Sequence, residues 1–191
     1  MSGQGKSVIS RWHLDCVTAN GNFFIGEAVS IRWSKLHVNL VSGITCINDR
    51  IERRDTIVFK EIFPREVGPE LTWDCAPLGI RGTWDSLVPK FEQALYSDKN
   101  QLVQWRCVCP RAKVTLHLGG SQALSGVGYA DYIQVTADTW TLPVREIRFG
   151  RYLTDRESFI WIDLAGALSK PFVWRNGVEQ PIASITDDIV A

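Results

Sequence analysis

The sequence has no run approaching the ~18 uninterrupted apolar residues that a bilayer-crossing helix needs, so no membrane span is expected. It carries no formal net charge, with 21 basic and 21 acidic side chains. There is thus no basic surplus for nucleic acid or an anionic surface. The charges at 50–54 are interrupted by Ile51 and Glu52 and read as a solvated connection. The three histidines, His13, His37 and His117, lack HxH, HxxxH or HExxH spacing, so no metal site is expected. Each reads as solvated or structural. A GxSxG elbow, a phosphate-binding Walker loop and a strand–GxGxxG–helix unit are all missing. Five cysteines (Cys16, Cys46, Cys75, Cys107 and Cys109) form an odd set without CxxC spacing, which fits neither a disulfide framework nor a zinc site. Free, buried thiols in a reducing cytosol are the expectation. The first twenty residues hold Arg11, His13 and Asp15 where an export signal needs an apolar core, so the expected location is cytoplasmic. Without repeats, heptads or a break in composition, one domain over 1–191 is expected.

What is present is an ordinary globular balance, 45% hydrophobic and 22% charged, with eight tryptophans. So many indoles imply a core or cavity with large flat walls. Short runs alternate with period two between turn signals such as Asn20-Gly21 and Asn176-Gly177. Trp12, Leu14 and Cys16 fall on one face of the first run, and Arg11, His13 and Asp15 on the other. The second run puts Phe23, Ile25, Glu27, Val29, Ile31 and Trp33 together, which makes Glu27 a carboxylate on an apolar face unless the strand end carries it to solvent. Cys107 and Cys109 are expected on one face beside Trp105, with Pro110 marking an edge or bulge. Residues 87–96 form the best helix candidate, which Pro89 limits to a short piece or another strand. About ten to twelve short strands, more than 40% strand in all, and at most two short helices predict an all-β sandwich or barrel.

The stretch from Gly126 to Val135 stands out. Gly126 and Gly128 mark a position where backbone geometry or close approach matters. Beyond them Tyr129, Asp131, Ile133 and Val135 share one strand face. An Asp on such a face is costly unless it is paired, hydrogen-bonded or kept protonated. Two readings follow. Asp131 is either a protonated acid able to protonate an alkene beside an indole such as Trp105, or a carboxylate ion-paired to Arg148 or Arg151 that fixes the sheet.

The string Gly126-x-Gly128-Tyr129-Ala130-Asp131, then Trp140-x-Leu142-Pro143, then residues 146–151 (Glu-Ile-Arg-Phe-Gly-Arg), resembles the lipocalin-like superfamily of carotenoid 1,2-hydratase. Trp161-Ile162-Asp163, Trp105-x-Cys107-x-x-Pro110 and Trp12-x-Leu14-Asp15-Cys16 fit it as well. The resemblance implies an antiparallel calycin-type β-barrel of about ten strands. It implies cofactor-free protonation of an isoprenoid or polyene double bond, followed by water capture, cyclisation or isomerisation. The family's Tyr-x-Asp pair is matched by Tyr129 and Asp131, and its upstream Trp by Trp105, while Val103 stands where the pattern has His. That departure bears on carotenoid hydration itself and leaves acid-assisted chemistry on another apolar substrate open. Asp131, Tyr129 and Trp105 are therefore the expected catalytic residues, with Glu27, Trp33, Trp73 and Trp161 as expected substrate-binding walls and a small hydrophobic molecule as partner. A lipocalin-like carrier without chemistry is the competing reading, and a barrel filled by its own side chains a third.

Overall fold

The computed structural model describes residues 7–99, 101–119, 122–136, 144–166 and 170–182. Trp140, Leu142 and Pro143 of the resemblance lie outside these residues, as do the polar start at 1–6 and the chain end beyond Asp187. Alternation dominates what is described: 77% of it is strand, without an α-helix. Fourteen strands follow in order: β1 (Ser7–Val17), β2 (Phe23–Trp33), β3 (Leu36–Ile47), β4 (Arg50–Val58), β5 (Arg65–Val67), β6 (Glu70–Cys75), β7 (Ile80–Ser86), β8 (Phe91–Ser97), β9 (Leu102–Leu118), β10 (Gln122–Thr136), β11 (Val144–Leu153), β12 (Ser158–Gly166), β13 (Lys170–Arg175) and β14 (Val178–Gln180). Residues 87–96 thus contribute a strand, β8, and among the described residues the one helical turn is the three-residue 3-10 turn Ala76–Leu78.

The strands form two antiparallel sheets, and no single closed barrel occurs among the described residues. The large sheet runs β4-β3-β2-β1-β10-β9-β7-β6-β5, and the small one β11-β12-β13-β14. The 17-residue β9 explains the departure from one simple barrel. Its first half pairs with β8 and its second half with β7, while β10 runs along its other side. The pairing of β9 with β10 slips around Gly128, Ala130 and Asp131, opposite Cys107 to Ala112, so the break expected at Pro110 is a bulge region. The slip separates two neighbours that strict alternation would keep together. Cys107 enters the core with Trp105, whereas Cys109 enters the opposite core.

Those two cores lie on opposite faces of β9 and β10. The first gathers Trp12, Leu14, Phe24, Trp73, Trp84 and Leu116 inside the curl of the large sheet. The second gathers Trp105, Tyr129, Ile160, Ile162, Phe172 and Trp174 between β8–β10 and the small sheet. On β2 the buried face is the one with the smaller side chains, Phe24, Gly26, Ala28 and Ser30, contrary to the expectation from bulk. A Cβ on Gly26 would stand 2.5 Å from the Phe24 ring and 2.6 Å from that of Trp73, so the rings lie flat where Gly26 leaves room. The face of Ile25, Glu27 and Val29 is turned outward, and the same turn brings the polar face of β1 beside Asp131.

Candidate active site

The site begins with register. β1 is flanked by β10 and β2, and His13 is the cross-strand partner of both Asp131 and Glu27. Asp15 is likewise the partner of Tyr129. A cross-strand pair brings Cβ atoms within ~5 Å, so Asp131, His13 and Glu27 form one polar row across three strands. Between this row and the facing β11 opens a cleft of about 730 Å³. Arg11, His13, Asp131 and Trp105 line it from the large sheet, and Ile147, Phe149 and Arg151 from β11.

Asp131 is buried, and one of its oxygens, Oδ2, is held twice. The Tyr129 hydroxyl donates to it at 2.8 Å and the Trp105 indole Nε1 at 3.1 Å. The other oxygen, Oδ1, accepts no hydrogen bond from the described residues, and Asp131 forms no ion pair among them. Arg151 is bound instead to the carboxylate of Asp15 and lies 4.6 Å over the Tyr129 ring. Burial above all raises the Tyr129 pKa well above its ordinary value, so the phenol stays a donor.

Asp15 ties the strands together beneath the cleft. Its Oδ1 accepts the backbone N–H of Tyr129 at 2.9 Å, and its carbonyl accepts the Trp84 indole N–H at 2.7 Å. A Cβ on Gly128 would stand 2.1 Å from that carbonyl, and one on Gly126 would stand 2.0 Å from the Val17 carbonyl. The glycines are therefore places where β1 and β10 approach too closely for any side chain. His13 is the other residue that lone-histidine reasoning left aside. Its Nε2 lies 3.1 Å from an Arg151 nitrogen, and arginine only donates, so in the neutral ring Nε2 accepts and Nδ1 carries the proton. That Nδ1 is buried, 3.7 Å from Glu27. The signal that could have found His13 and Asp15 is their alternation with Leu14 and Cys16, combined with β1 lying beside the Asp131 strand.

Asp131, Tyr129 and Trp105 meet in one cluster, and Glu27 lies behind His13, paired with Arg11. The other expected walls sit elsewhere. Trp33 is 57% exposed at the end of β2, where the sheet face is uncovered. Trp73 is fully buried in the first core, its indole N–H donated to the Ile62 carbonyl at 2.8 Å. Trp161 projects from the face of β12 opposite Ile160 and Ile162, over Gly150 of β11.

No protein-family model matches the chain, and no curated protein matches it in sequence. Solved structures do resemble it. An AttH candidate from Nitrosomonas europaea superposes with a TM-score of 0.58 at 9% identity, covering 92% of this chain and 68% of that one. Kievitone hydratase from Nectria haematococca superposes with a TM-score of 0.50 at 12% identity, covering 91% of this chain and 61% of that one. The likeness is one of fold, and this chain spans about two thirds of the length of either.

Proposed function

We propose that the cleft between the sheets carries out cofactor-free, acid-assisted chemistry on an apolar isoprenoid or polyene metabolite, by hydration, cyclisation or isomerisation. One observation carries this reading. Asp131 is buried at the cleft, its Oδ2 is taken by Tyr129 and Trp105, and it forms no ion pair among the described residues. With Oδ2 already accepting two hydrogen bonds, the acid's proton belongs on Oδ1. Transfer of that proton to an alkene carbon forms a C–H bond and leaves a carbocation and a carboxylate. The aromatic walls, Trp105 and Phe149, stabilise the cation. In hydration, water adds to the cation and gives its surplus proton to the carboxylate, which restores the acid. Tyr129 positions the carboxyl from behind, and Arg151 above its ring keeps β11 in place. Kievitone hydratase, whose fold this chain resembles, adds weight to the hydratase form.

The carrier reading has one observation in its favour: the Tyr129 side chain is fully buried and bonds only within the wall. Turnover separates the two. Prenylated aromatics and linear polyenes are incubated with the protein in 18-oxygen water and the products weighed. A labelled hydrate or an isomer is expected from at least one compound, and Asp131→Asn, which keeps the shape but loses the acid, should reduce its rate by ~10²–10⁴-fold. Binding without conversion across the panel establishes the carrier instead.

A further inference from the structure

The cleft at Asp131 does not end at Arg151. A second cleft, of about 450 Å³, begins on the other side of the same side chain. Arg151 lines both, and Asp15, which it holds, lines the second. Three strands give walls to both, further along each. From β10 the first cleft takes Ile133 and Asp131, and the second takes Val127, Gly126 and Ser125. From β1 they take Arg11 and His13, then Val17. From β11 they take Ile147 and Phe149, then Leu153. The two are consecutive lengths of one groove between β11 and the large sheet. From Ser125 to Ile133 the groove runs roughly 26 Å, at ~3.3 Å per residue.

The chemistry along it is graded. The far length has apolar walls in Val17, Val127 and Leu153, and a polar rim in Thr18, Ser125, Thr154 and the charged Asp155. The acid lies in the near length. Between them the Arg151–Asp15 pair forms a polar waist, and its charges are already satisfied by each other and by His13.

We infer that the far length is a second binding subsite, and that the natural ligand is an elongated apolar molecule whose reacting double bond lies at Asp131 and whose tail passes the waist to lie against Val17, Val127 and Leu153. The inference rests on the proposed function and specifies its substrate: a long linear or prenylated chain in place of a compact ring system.

The test uses two linear polyene acids with the same headgroup, the long cis-parinaric acid and the short sorbic acid, with binding read by fluorescence. Val127→Trp fills the far length from the strand, and the exposed Ser125→Trp does so from the rim without touching a core. A denaturation midpoint for each variant establishes that it is folded. Both substitutions should weaken cis-parinaric acid by about tenfold or more, the scale of losing several methylene contacts, and leave sorbic acid unchanged. If either folded variant binds the long probe as the wild type does, or weakens both probes alike, the second subsite is refuted. Ile133→Trp serves as the control for the near length and should weaken both probes. Should it weaken neither, or should the wild type bind neither probe, the reading of the Asp131 cleft as an apolar site falls as well.

Discussion

His13 stands among three carboxyl groups and a guanidinium, and its balance sets how the site responds to pH. Burial draws its pKa down, but Asp15 and then Glu27 lead the groups that raise it, and the net is a rise above the ordinary 6.5. Glu27 moves the other way: the His13 imidazole, and then Arg11, hold it at about 2 against burial. A raised histidine contributes its stability in full below 6.5 and loses it as pH climbs through the folded value. A lowered glutamate contributes in full above its ordinary 4.5 and loses that contribution as pH falls towards about 2. The pair is therefore strongest between 4.5 and 6.5. The difference in urea midpoint between wild type and Glu27→Gln should peak in that window. A difference that stays flat with pH would show that the row adds nothing to stability. The thiols offer a second test at this scale. All five cysteines are free, and only Cys46 is not fully buried. Burial pushes Cys16 up to about 11 and Cys109 up to about 12, and Cys107 rises well above its ordinary value for the same reason. A thiol reagent on the native protein should modify Cys46 promptly and the other four only on unfolding.

At the scale of elements, β1 and β10 are the pair that builds the site. Asp15 supplies a side-chain acceptor to the Tyr129 N–H, and its carbonyl turns to the Trp84 indole. That carbonyl fills the space a Gly128 side chain would need. Gly128→Ala must push the carbonyl away from Trp84 or part the strands. A loss of ~1–3 kcal/mol is expected from overpacking alone, measured by denaturant unfolding. The same shift moves Tyr129 and Asp131, so probe binding in the cleft should fall along with stability. Gly21→Ala is the contrast: its Cβ would meet nothing within 4 Å, and its cost comes only from the positive φ of +83° in the β1–β2 turn. If Gly128→Ala proves as stable as the wild type, the close approach is not what the glycine serves.

For the molecule as a whole, the first core lies inside the large sheet and the second between the two sheets, and the cleft depends on the second. Phe91 of β8 stacks on Trp174 of β13 with ring centroids 4.6 Å apart, and meets Trp105 of β9 edge-on at 5.3 Å. Trp174 also meets Trp105 at 5.1 Å, so this aromatic trio joins the small sheet to the large one. Trp174→Ala opens a cavity there and should cost ~3–5 kcal/mol. The first core does not contain Trp174, so strand content in the far ultraviolet should persist while near-ultraviolet signal and cleft binding decline. Simultaneous loss of both signals would show instead that the two cores unfold as one.

What the sequence alone determined is what period two can encode. Alternation of Trp12, Leu14 and Cys16, and of Tyr129, Asp131 and Ile133, makes strands and says which side chains share a face. Paired glycines before Tyr129 announced either special backbone geometry or a close approach, and the cysteine spacing announced free thiols. The side to which a face turns is another matter, because alternation is symmetric between inside and outside. On β2 the bulkier face was turned outward because Trp73 and Phe24 needed the flat floor of Gly26. The bulge in β9 sent Cys107 and Cys109 to different cores, which no count of residues shows. His13, Asp15 and Arg151 lie 138 residues apart at the extremes, and only the pairing of β1 with β10 and the packing of β11 across them made one site. Trp33, Trp73 and Trp161 look alike in sequence and ended in three different environments for the same reason: a side chain's neighbours across a sheet or between sheets are set by strand order and layer packing, which are long-range properties of the chain.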